Sequence, residues 1–125
     1  MLRIANNPID YFLDAFEKCY PETAAKIRGI YLDFDMAKRD KTQSRTLYLE
    51  DGTMTIFVCP VTVRGRNLSY AEVFELLLEE FAHAVHGRML DVGVLEKAKD
   101  EINDKTADAI ATKIIKDTET PLDKS

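Results

Sequence analysis

The stretch Ser69–Gly87, SYAEVFELLLEEFAHAVHG, governs the reading of the whole chain. Ser69 followed by Glu72 forms a capping box that predicts a helix start, and Gly87 is a natural stop. Between these ends Phe74, Leu76, Leu77, Leu78, Phe81, Ala82, Ala84 and Val85 leave almost no polar face, so this helix is predicted to be buried. Glu79, Glu80 and His83 at its centre then need an explanation. A carboxylate moved into low dielectric is costly unless it gains a partner, a proton or a metal.

At about 100° per residue, Glu79 and His83 lie about 40° apart and one turn apart, close enough for both to reach one ion. Glu80 lies beside them, facing the same cavity without being a ligand, a placement suited to taking a proton from a metal-bound water. His86 is about 10 Å along the axis from Glu79, too far to share that ion, and it reads as a helix-end cation favoured by the dipole. The same residues also admit a plain structural reading. In it the two glutamates meet a solvated edge or a basic residue, and His83 donates to a backbone carbonyl.

Working outward towards the N-terminus, Asp51-Gly52 between TLYLE and TMTIFVC is the strongest hairpin signal in the chain. A charged stretch, AKRDKTQS, precedes it. Alternation of Ile30, Leu32 and Phe34 with Tyr31, Asp33 and Asp35 predicts a first strand near 29–35. Before that, Pro21 begins a short helix that Gly29 is expected to close. Asn7, Pro8 and Asp10 predict the start of a helix near 8–19, with Ile9, Phe12, Leu13 and Phe16 on one face. Towards the C-terminus, Leu95, Ala98, Ile102, Ala109, Ile110 and Ile114 predict a helix near 94–117, followed by a frayed tail over 118–125. The order predicts one α+β domain over 1–125, with helices packed on a small antiparallel or mixed three-stranded sheet.

Composition bounds the function. At 125 residues, 46% hydrophobic and 31% charged, the chain can bury a core without disulfides or a structural metal. A formal net charge of -5 disfavours a nucleic-acid partner. The start MLRIANNPIDYF lacks the features of a secretory leader, and no apolar run is long enough for a membrane span, so a cytoplasmic protein without a membrane partner is expected. Cys19 and Cys59 lack C-x-x-C spacing and are expected to be free thiols in the core.

EEFAHAVHG resembles the H-E-x-x-H helix of zincin metallopeptidases, especially the minimal gluzincins found among small phage and bacterial proteins. The first His is replaced by Glu79. In those proteins a Glu on the next helix often opens the pattern E-x-x-A-[DN]-x-x-A, and Asp104 through Ala111 match it here, with Asp104 in the ligand position. Ala107 and Ala111 share a face with Asp104 and are expected to let the two helices approach closely. A hairpin strand just before the motif helix is also common to both.

The resemblance implies metal ligands Glu79, His83 and Asp104, with Glu80 as the catalytic base. Two carboxylates and one imidazole form a harder, more anionic site than two His and one Glu, so zinc binds less tightly, and manganese or iron becomes a candidate. The resemblance thus implies a peptide or protein substrate and hydrolysis by a metal-activated water, with activity altered or lost. Two further readings stay open. One is a non-catalytic module that holds a peptide or partner protein by strand addition on a degenerate zincin scaffold. The other is a structural core helix whose acidic pair is bonded to Arg64, Arg66 or Arg88.

Overall fold

The structure, a computed structural model, describes residues 8–123. It contains α1 (Pro8–Cys19), α2 (Pro21–Lys26), β1 (Ile27–Leu32), α3 (Met36–Asp40), β2 (Ser44–Tyr48), β3 (Met54–Val58), α4 (Tyr70–His86) and α5 (Val92–Asp123). Asn7, the expected cap of α1, lies outside the described residues. The α+β class is as predicted, and the sheet is mixed. Its order is β1-β3-β2, with β1 parallel and β2 antiparallel to the central β3.

Three local expectations are corrected. Gly29 does not end α2 but lies in β1, where the register against β3 shifts between Ile27 and Gly29. The Tyr31 ring lies over it, about 2.7 Å from where a Cβ would stand, so any larger residue would have to push that half-exposed ring aside. The strand also ends sooner than alternation suggests. Asp33 Oδ1 accepts from the Asp35 N–H at 3.1 Å, turning the chain into α3 and leaving Leu32 and Phe34 exposed. α3 itself arises in the charged stretch because Met36 and Ala37 are buried against Cys59, and Lys41 at φ 60° closes it.

The core is built from the predicted apolar faces. Phe12 and Phe16 of α1 meet Phe81 of α4, with the Phe16 and Phe81 rings stacked at 4.0 Å between centroids. Ile56 and Val58 from β3 and Ile102 from α5 complete the centre, all fully buried. α4 therefore touches the sheet, α1 and α5 together, which is why its sequence is apolar nearly all round. The Ser69 hydroxyl accepts from the Glu72 N–H, Glu72 accepts from the Ser69 N–H, and Gly87 ends the helix, as the sequence predicts. α5 continues through Asp123, across most of the segment expected to fray. Among the described residues, no helix is long and apolar enough to cross a membrane.

Candidate functional site

The site forms where the edge strand β2 crosses α4. Leu49 N–H donates to Thr53 O and Cys59 N–H to Gln43 O, so in this antiparallel pair the odd-numbered residues face β3 with their backbone groups. The N–H and C=O groups of Ser44, Thr46 and Tyr48 consequently point away from β3, along the outer edge. Their side chains take the face towards α4 and are half-buried, whereas Arg45 and Leu47 are exposed on the other face.

This register places two hydroxyls on Glu80. Thr46 Oγ1 donates to Glu80 Oε1 at 2.8 Å and Ser44 Oγ donates to Oε2 at 3.2 Å. Glu80 is only 8% exposed, and the two bonds offset the cost of burying its carboxylate. Tyr48 continues the row. Burial and then the nearby Glu80 charge raise its phenol above the ordinary value, against the opposing effect of Arg88. The Arg88 guanidinium lies 4.3 Å from the centroid of the Tyr48 ring, a cation–π contact at the C-terminal end of β2.

His83 is half-buried one turn beyond Glu79, and its Nδ1 is 3.1 Å from Gly87 O. A carbonyl only accepts, so Nδ1 carries the proton in this contact and Nε2 is the ring nitrogen left outside it. Glu79 is also half-buried. Asp104 is exposed, because the buried stripe of α5 runs through Ala98, Ile102 and Thr106, with the Thr106 hydroxyl donating to Ile102 O at 2.8 Å. A residue two places from both Ile102 and Thr106 sits about 160–200° round the helix from them. Ala107 and Ala111 are exposed for the same reason, so they do not form the small-residue contact expected with α4.

The donor set therefore does not fit a metal with three protein ligands in this arrangement. Among the described residues, no three His, Cys, Asp or Glu side chains stand together as a group able to hold a metal ion, so Glu79, His83 and Asp104 are not assembled. Nor are arginines the partners of the acidic pair's buried member. Arg66 instead holds Glu72 with two bonds of 2.9 Å, and that contact, more than the Ser69 N–H, lowers the Glu72 carboxyl to about 2.

A pocket of about 380 Å³ opens beside the start of β2, lined by Gln43, Leu68, Ala71, Glu72, Glu75 and Leu76. Gln43 is common to the pocket and to the approach of the edge strand, and its Nε2 is held by Cys59 O and Val61 O. Sequence reasoning missed Ser44, Thr46 and Tyr48. The signal was present in SRTLY, where hydroxyl-bearing residues occupy alternate positions, but a hydroxyl-bearing strand face reads as solvent-facing until something polar is placed opposite. No family model, curated protein or solved structure matches the chain.

Proposed function

We propose that this chain is a non-catalytic binding module on a degenerate zincin-like scaffold, which takes up an extended segment of a partner protein by strand addition at β2. The observation that carries this reading is the engagement of both Glu80 oxygens by Ser44 and Thr46. The acid in the general-base position of the resembled motif ties the edge strand to α4, leaving the outer backbone row of Thr46 and Tyr48 open while Ser44 O accepts from the Thr42 hydroxyl at 3.0 Å. Such a row is a ready template for another strand, with main-chain bonds supplying affinity and adjacent pockets supplying selectivity. The pocket at Gln43 is in place for a side chain of the added segment.

Selection from a display library of random linear peptides, followed by amide hydrogen exchange on the complex, tests this. The Ser44, Thr46 and Tyr48 amides should gain protection, while those of Arg45 and Leu47, already bonded to β3, should change little. Failure to select any peptide, or protection confined to other elements, would overturn the reading.

A second reading, a metal-dependent peptidase, is favoured by one contact. The His83 Nδ1 bond to Gly87 O orients the ring as metal-binding histidines are commonly oriented, with Nε2 free. Glu79 and His83 are the residues that would take part, and the exposed Asp104 would have to be replaced by another donor. Metal analysis of protein purified without chelator, then of Glu79→His and His83→Ala, tests it with zinc, manganese and iron. Stoichiometric metal lost in His83→Ala would favour this reading over the binding module. Metal bound only after Glu79→His would mark a scaffold that has lost its site.

A further inference from the structure

The segment that leads into and forms the edge strand is locally basic, although Asp33 and Asp35 precede it and Glu50 and Asp51 follow it. The chain carries a net charge of -5, yet Met36–Tyr48 holds Lys38, Arg39, Lys41 and Arg45 against the single carboxylate Asp40. Arg39 is already committed, at 2.8 Å to Asp33 and 2.9 Å to Asp40. Arg45 has only a longer contact of 3.4 Å to the same Asp40 oxygen, and its side chain is 54% exposed. Lys38 and Lys41 have no ion pair among the described residues, but they lie outside the strand, and Arg45 is the one cation of this group carried on β2 itself. At the other end of β2, Arg88 is exposed, rests over Tyr48 and has no ion pair among the described residues. The one acid beneath, Glu80, is buried and held by hydroxyls.

These two arginines lie on opposite faces of the edge. Arg45 projects from the outer face, whereas Arg88 lies over a side chain on the α4 face. In a strand added to β2, the residues opposite Arg45 and Tyr48 are three positions apart, about 10 Å, and an odd separation also puts them on opposite faces. Between them, the residue opposite Leu47 shares the outer face with the one opposite Arg45. There Leu47 and Phe57 line a cavity of about 230 Å³, with Asp33, Arg39 and Arg45.

From this placement, and resting on the strand-addition reading above, we infer that the partner segment is an acidic extended peptide whose carboxylates are three residues apart. In the antiparallel direction its order is acid, apolar, any residue, acid. The first acid meets Arg88, the apolar residue covers Leu47, and the second acid pairs with Arg45 across the strands. Arg45 and Arg88 are then the selectivity-determining residues, and the backbone of β2 supplies the sequence-independent part of binding.

The probe is the capped peptide Thr-Val-Glu-Val-Thr-Glu-Val-Thr, compared with versions in which both Glu are Gln or both are Lys, against the full chain. Fluorescence anisotropy should rank them Glu, Gln, Lys, with about a two- to fivefold loss per charge pair removed, and the Glu preference should shrink as salt is raised. The double variant Arg45→Glu with Arg88→Glu should reverse the ranking to favour the Lys peptide. Circular dichroism checks that the variant remains folded, and the three peptides on the unaltered chain decide the matter even if it does not. Equal affinities with the Ser44, Thr46 and Tyr48 amides protected would overturn the charge inference and leave strand addition standing. Absence of such protection with all three peptides would overturn both.

Discussion

α4 and α5 are the two longest helices, and they treat their acidic residues in opposite ways. α4 is enclosed by the sheet, α1 and α5, so Glu80 is largely withdrawn from water and is held by two strand hydroxyls. α5 has neighbours on one side only, and Asp104 turns to solvent while Thr106 takes the buried place. Two acids in matched motif positions thus reach different environments because of how many sides of each helix are covered. The apolar pattern signals that coverage for α4, but it does not say what stands opposite either acid.

The largest effect expected from breaking this contrast comes from the enclosed helix. Phe81→Ala removes a fully buried ring packed on Phe12 and Phe16, and should destabilise the fold by about 3–5 kcal/mol in denaturant unfolding. Thr46→Val is the next test. It keeps the shape but leaves Glu80 with one hydroxyl donor, and a loss of about 1–3 kcal/mol is expected. A double-mutant cycle with Glu80→Gln should show that the cost depends on the carboxylate. Asp104→Ala sharpens the contrast from the other side: an exposed position on α5 should change stability by no more than about 0.5 kcal/mol. A much larger loss would mean that Asp104 has a buried partner.

The smallest effect is electrostatic and lies at the head of α4. Glu72 is depressed from 4.5 to about 2, chiefly by Arg66. A depressed carboxyl contributes stability above its unfolded value and loses that contribution as pH falls through its folded value, so the pair weakens between about 4.5 and about 2. Carbon-detected NMR titration should find Glu72 near the lower figure. Arg66→Gln should move it up towards the ordinary range, with little change in overall stability for so exposed a pair.

Much of the fold was legible because its signals are local. The hairpin follows from Asp51-Gly52, whose glycine has φ 85°, and α4 follows from its capping box and Gly87. The early end of β1 was not legible, since Leu32 and Phe34 continue the alternation while the Asp33 turn overrides it. α3 was hidden because its stabilising partner, Cys59, is far along the chain.

The sequence by itself determined the order of the elements apart from α3, the burial of α4 and the need for an unusual partner at Glu80. Periodicity, caps and the cost of an enclosed charge are properties of neighbouring residues and of the solvent. Only the tertiary structure decided which partner that was, and which side of α5 faced inward. The answer for Glu80 depended on the register of β2, which brings hydroxyls 34 and 36 residues away onto one carboxylate. The answer for Asp104 depended on the roll of α5, fixed by burying Ala98, Ile102 and Thr106, because a helix is oriented by its whole apolar stripe rather than by one acidic residue.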